Sequence, residues 1–198
     1  MAHGFSRAKP AHRAGPRRHD TCSATGMSVR RPGRAAGFAY LGVHTYLVTC
    51  CTYARRRYFA RTATARQVLS QIRQAARAWH LAVLAYCLMP DHLHLVVQGT
   101  SADADLQAFV SSFKQRSGFD HARTTDTRLW QAGYHDRVLR RDESALTTIA
   151  YVLNNPVRAR IVQRPEDYPW SGSDQYTMDE RLTDIARGSR TETVRFRR

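Results

Sequence analysis

The sequence predicts an α+β domain: an antiparallel sheet flanked by helices. Three observations carry that expectation. Short runs rich in β-branched and aromatic residues alternate with segments of helical period between residues 40 and 160. Pro90-Asp91 separates two apolar runs of strand length, the pattern of a hairpin. At 42% hydrophobic residues, a chain of 198 can build one core and little more.

The elements follow in order. Residues 40–50 (Tyr-Leu-Gly-Val-His-Thr-Tyr-Leu-Val-Thr-Cys) read as a strand. Thr52 to Arg61 is a basic connection with Arg55, Arg56 and Arg57 in succession. Val68, Ile72, Ala75, Ala76 and Trp79 share one stripe of a helix over 64–79, with Thr62 or Thr64 as its cap. Leu81–Met89 and His92–Gln98 form the hairpin. A second helix runs from Asp103 to about Arg116, with Leu106, Phe109, Val110 and Phe113 on its apolar side, and the polar stretch from Gly118 to Arg128 reads as a loop. Leu129–Leu139 is an extended edge. A third helix starts after Asp142 and ends near Asn155, because Pro156 disfavours helical conformation in its predecessor. Val157–Val162 forms a short further turn, and Pro165–Trp170 is irregular. Strand, helix, strand, strand, helix, strand, helix is the order of a split βαβ, ferredoxin-like or RRM-like sandwich.

Charge narrows the function. Lys and Arg total 31 against 16 Asp and Glu, a net charge of +15, and only Lys9 and Lys114 are lysines. Such an excess of arginine fits a polyanionic partner, nucleic acid before membrane surface. No apolar run reaches the ~18 residues of a spanning helix, and no apolar core follows the basic N-terminus as in a secretory signal. The four cysteines (Cys22, Cys50, Cys51, Cys87) have no CxxC spacing, which fits neither a disulfide framework nor a zinc ribbon and places the chain in a reducing cytoplasm, near the nucleoid. Residues 1–37, with eight cations and one acid before Gly37, read as a basic disordered tail, within which Met27 offers a second start. Residues 38–173 form the domain, and 174–198 a second basic tail.

Two groups of residues carry candidate chemistry. His92-Leu93-His94 lies in a strand, so period two sets both imidazoles on one face, about 7 Å apart along the chain, while Leu93, Leu95 and Val97 point to the core. Such a pair serves either as metal ligands, given a third donor, or as a half-exposed structural pair. Tyr151 and Asn155 stand at i and i+4 of a helix, so hydroxyl and carboxamide address one point. They offer either a nucleophile with an oxygen ligand, or a packed tyrosine with Asn155 as a cap.

Taken together these stretches resemble a known family. Tyr86-Cys-Leu-Met-Pro-Asp-His-Leu-His-Leu-Val-Val97 resembles the HUH motif of single-tyrosine, single-strand DNA transposases. Leu129–Arg140 resembles their Trp-Gln segment, Ala150–Ala159 their tyrosine helix, and Pro165–Ser171 the segment that follows it in the branch of REP-associated tyrosine transposases. The resemblance covers residues 38–173 and implies the HUH endonuclease fold. It implies His92 and His94 as ligands of Mg²⁺ or Mn²⁺, Tyr151 as nucleophile, and Asn155 as a third ligand, where many insertion-sequence relatives carry the longer Gln. It also implies a 5′-phosphotyrosine intermediate on single-stranded DNA beside a hairpin, and, for this branch, a monomer in preference to the dimer of insertion-sequence relatives.

Such DNA needs contacts. Arg55, Arg56, Arg57, Arg61, Arg140, Arg141, Arg158 and Arg160 are the candidate phosphate ligands, and Tyr53, Tyr58, Trp130 and Tyr134 the candidate stacking platforms for unpaired bases. The competing readings are a replication-initiator or relaxase endonuclease and a catalytically silent nucleic-acid-binding regulatory module on the same fold.

Overall fold

The structure, a computed structural model, describes residues 39–140 and 144–175. The expected tails lie outside the described residues except at Asp174 and Gln175, and so do Arg141 and Asp142. The elements are β1 (Thr45–Cys51), α1 (Thr62–Ala78), β2 (Leu81–Met89), β3 (His92–Gly99), α2 (Leu106–Thr125), β4 (His135–Val138), α3 (Ala145–Leu153), α4 (Asn155–Arg158) and β5 (Ser171–Gly172). The sheet is antiparallel throughout, in the order β4-β1-β3-β2-β5. Removing the two-residue β5 leaves the ferredoxin-like arrangement expected from the element order.

The sheet is covered on both faces. On one, Tyr46, Val48 and Cys50 of β1 and Leu93, Leu95 and Val97 of β3 meet the apolar stripes of α1 (Val68, Ile72, Ala75) and α2 (Phe109, Val110, Phe113). On the other, Ala85, Cys87 and Met89 of β2 and Val96 of β3 meet Ile149, Val152 and Leu153 of α3. This explains why β2 is buried at every position. A bulge at Leu84/Ala85 sets two successive residues on the α3 face, after which Tyr86 and Leu88 return to the α1/α2 face.

Four local expectations are corrected. Neither Thr62 nor Thr64 caps α1: Arg61 holds the N-cap position without a side-chain bond. The stretch read as a loop from Gly118 is helix as far as Thr125, where Asp126 closes α2 in the left-handed region. Polar residues fill the last turns' inner side: Ser117 and His121 are buried, and the Ser117 hydroxyl donates to Phe113 O at 2.6 Å while accepting the Trp130 indole N–H at 2.8 Å. Hydrophobic periodicity therefore stops before the helix does. The edge segment 129–139 pairs as β4 only over His135–Val138, with a single bridge from Trp130 to Thr52 before it. Residues 171–172, for which no element is expected, add the short β5 against Tyr86 and Cys87. Among the described residues no helix is long and apolar enough to cross a membrane.

Candidate active site

β3 carries His92 and His94 on the face that α3 covers, four and two residues before Val96 of the same face. Register against β1 sets Thr49 opposite His94 and Cys51 opposite His92; β2 sets Cys87 and Met89 opposite them on the other side. The two imidazoles meet edge to face, with ring centroids 4.7 Å apart and Nε2 atoms 3.0 Å apart. Each Nδ1 is engaged elsewhere: His92 Nδ1 lies 2.6 Å from Asp91 Oδ1, and His94 Nδ1 lies 3.0 Å from Thr49 Oγ1. Two ligand atoms at right angles, each ~2.1 Å from one ion, lie about 3 Å apart. The pair therefore fits adjacent positions of one divalent cation, with second nitrogens held as metal-binding histidines require.

His94 is 7% exposed. Burial pushes its pKa down to about 3, and the charges of His92, Arg55 and Arg158 act in the same direction. It is thus a neutral imidazole at physiological pH. The same shift predicts a pH dependence of stability. In the unfolded chain the ring titrates near 6.5 and takes a proton that the folded chain refuses until about pH 3. Stability is complete above about pH 6.5 and falls as the pH drops toward 3, by on the order of 1.4 kcal/mol per unit. Thermal melts between about pH 7.5 and 5 should show this decline, and His94→Gln should flatten it. Parallel profiles for the two chains would refute the buried, neutral ring.

Asp91 sits in the hairpin turn. Burial raises its carboxyl pKa, but the hydrogen bond from His92, the His92 charge and Arg55 outweigh burial and hold it below the ordinary value. Arg55 Nε donates to Asp91 Oδ2 at 3.0 Å, and its Nη1 to Cys51 Sγ at 3.1 Å. Arg55 thus supports the turn that carries Asp91, while its side chain stays partly exposed.

α3 brings Tyr151 to the same face, half-buried against the apolar cluster of β2, β3 and α3. The Arg158 guanidinium lies 4.6 Å from the Tyr151 ring centroid and is near enough to depress His94. His94, Arg158 and Tyr151 thus form one neighbourhood. Asn155 opens α4 and bonds back to α3: its Nδ2 donates to Tyr151 O at 3.0 Å and Val152 O at 3.2 Å, which leaves only its oxygen for a cation. That geometry is the capping role left open by the sequence. Among the described residues no cluster of three His, Cys, Asp or Glu side chains surrounds an ion-sized site.

The expected DNA contacts divide. Arg56, Arg57, Arg61, Arg140, Arg158 and Arg160 are exposed. Tyr53 is 44% exposed, and the Arg128 guanidinium lies 5.5 Å over its ring, a basic aromatic step that the sequence reading missed. Trp130 is corrected. It is 4% exposed, packs against Phe59 and Phe113, and spends its indole N–H on Ser117, so it is a core residue with no free face for a base. Tyr58 packs edge-on against His121, and Tyr134 lies half-buried against the core.

A sheet with paired histidines on one strand and a tyrosine on the helix that covers them defines a class, and comparison with known proteins identifies it. The family described as "Transposase IS200 like" matches residues 41–155, more than half of the chain, and the chain belongs to that family. It is similar to a Haemophilus influenzae protein named as a REP-associated tyrosine transposase, at 21% identity over 113 residues, which is 52% of this chain and 64% of that one. The match thus spans less than two thirds of that relative. Among solved structures, a REP-associated tyrosine transposase bound to a REP hairpin superposes with a TM-score of 0.58 at 21% identity, covering 77% of this chain and 85% of the other. That likeness establishes the shared fold. A Deinococcus radiodurans protein described as a transposase gives a TM-score of 0.43 at 20% identity over 66% of this chain and 95% of that one.

Proposed function

We propose that this chain cuts and rejoins single-stranded DNA beside a hairpin, through a phosphotyrosine on Tyr151, with Mg²⁺ or Mn²⁺ held by His92 and His94. The observation that carries the reading is the convergence of the two Nε2 atoms, 3.0 Å apart, on the sheet face that also packs Tyr151. Membership of a transposase family and the hairpin named with the similar structure support the choice of substrate.

The ion, when bound, polarises the scissile phosphate and stabilises charge on its oxygens. The Tyr151 hydroxyl attacks phosphorus and its proton passes to solvent. The 3′ oxygen leaves and takes up a proton, and the 5′ phosphate remains on the tyrosine, ready for return attack by a 3′-hydroxyl. Arg158, over the Tyr151 ring, is placed to meet the phosphate that the tyrosine attacks. The Asn155 oxygen is the remaining helix-borne donor toward the ion. Arg56, Arg57 and Arg61 bind flanking phosphates, and Tyr53 with Arg128 stacks an unpaired base.

The test is incubation with a hairpin oligonucleotide bearing single-stranded flanks, with Mn²⁺, followed by a denaturing gel. A covalent adduct is expected. Tight hairpin binding without adduct or cleavage would overturn the enzymatic reading and leave a silent binding module. Binding itself should be steeply electrostatic. With six or more phosphate contacts, affinity should fall about 10³-fold or more between ~50 and ~200 mM salt. A flat salt response, or equal affinity for blunt duplex, would count against the hairpin as partner.

A further inference from the structure

The turn after β1 is strained, and what it holds is the carboxylate beside His92. Ala54 and Arg55 follow one another at φ 52° and 54°, in the left-handed region that costs residues with side chains about 1 kcal/mol or more each. Neighbouring bonds impose this conformation. Thr52, fully buried, donates its N–H to Asp91 O at 3.0 Å, and its hydroxyl lies 2.8 Å from Asp91 O and 2.7 Å from Arg56 O. Phe59 N donates to Pro90 O at 3.0 Å. Both carbonyls of the hairpin turn are thus tied to the segment that carries Arg55. From that fixed turn Arg55 reaches one oxygen of Asp91 at 3.0 Å, and the other oxygen lies 2.6 Å from His92 Nδ1.

We propose that Asp91, braced by Arg55, is a positioning residue for His92: it fixes the ring as the Nδ1–H tautomer and so turns a bare Nε2 toward His94. The inference rests on the reading of His92 and His94 as metal ligands. A carboxylate only accepts hydrogen bonds, so the proton at the 2.6 Å contact belongs to His92 Nδ1, and in the neutral ring Nε2 carries the lone pair. Thr49 behaves differently. Its hydroxyl donates or accepts, so it satisfies His94 Nδ1 in either tautomer. With Nε2 of His92 bare, the 3.0 Å contact puts a proton on His94 Nε2, which donates to it. A cation held by both Nε2 atoms would require the His94 proton on Nδ1, where the Thr49 hydroxyl would accept it. One ring is locked and the other adapts. The pair can then close on itself when empty and still offer two nitrogens to an ion.

Long-range ¹H–¹⁵N correlation spectra of the metal-free protein, at mildly alkaline pH, read the tautomers directly. His92 should show a protonated Nδ1 and a bare Nε2. Asp91→Ala should give mixed tautomers and lower Mn²⁺ affinity, measured by electron paramagnetic resonance of the free ion, by roughly 10- to 100-fold. Asp91→Asn keeps an accepting oxygen without the charge, and Arg55→Gln removes the brace; both should fall between. A wild-type His92 protonated on Nε2 would overturn the proposal, as would Asp91→Ala with unchanged tautomer and unchanged Mn²⁺ affinity. If Asp91→Ala melts below the measuring temperature, the wild-type spectrum and Asp91→Asn decide. If the wild-type chain binds no Mn²⁺, the metal reading of the site falls, while the tautomer measurement still decides the role of Asp91.

Discussion

Tyr151→Phe should eliminate the covalent protein–DNA adduct while leaving the fold, metal binding and hairpin binding in place. The phenyl ring keeps its packing against the α3 cluster and its place beneath Arg158 at 4.6 Å, so both the volume and the cation–π contact survive. The stability change should be under about 1 kcal/mol, whereas loss of the nucleophile should reduce adduct formation at least ~10³-fold. The other tyrosines are poor substitutes. Tyr168 is buried and donates its hydroxyl to Leu88 O at 2.7 Å, and burial pushes its pKa up to about 12. Tyr46, on the α1/α2 face, is pushed up to about 12 by burial as well. Tyr86 faces that same side. Mass spectrometry of the trapped adduct locates the linkage. A phosphotyrosine at Tyr134 or Tyr168, or undiminished adduct in Tyr151→Phe, would remove the role given to Tyr151.

The fold was legible because its signals are local. Apolar, β-branched runs of strand length gave β1 to β3, the Pro90-Asp91 turn gave the hairpin, and the stripe from Val68 to Ala76 gave α1. The extension of α2 past Gly118 was not legible, since the buried positions of its last turns are Ser117 and His121, polar residues whose partners Trp130 and Thr127 lie beyond the helix. Trp130 misled for the same reason: an aromatic beside Gln131 in a basic chain reads equally as a base platform or as core, and only the contact with Ser117 decides. At the site, His92, His94 and Tyr151 were legible from spacing and resemblance. Thr49 was not, because its place opposite His94 follows from the β1–β3 register, which a single sequence does not fix. Asp91 was visible as a turn residue, but its use depends on Arg55, 36 positions earlier, in a backbone conformation that nothing in Ala54-Arg55 announces.

His92→Ala and His94→Ala should each reduce cleavage by roughly 10²–10³-fold or more, the scale of removing one element of charge stabilisation from a reacting centre. Their effects on folding should differ. His92 has a side chain 17% exposed, and after its removal Asp91 still pairs with Arg55 at 3.0 Å, so His92→Ala should melt close to wild type. His94 is buried, so His94→Ala leaves the Thr49 hydroxyl without its partner and opens space beside Cys87, at a cost of about 1–3 kcal/mol. Metal-free hairpin binding should stay within about threefold for both, because neither ring is asked to hold DNA. Circular dichroism melts, single-turnover cleavage and hairpin titrations in chelator separate the effects. Full cleavage by His92→Ala in Mg²⁺ would end the ligand assignment. If both variants instead lost their fold, the pair would belong to the core, and the 3.0 Å approach of the two Nε2 atoms would be a packing contact rather than a site for an ion.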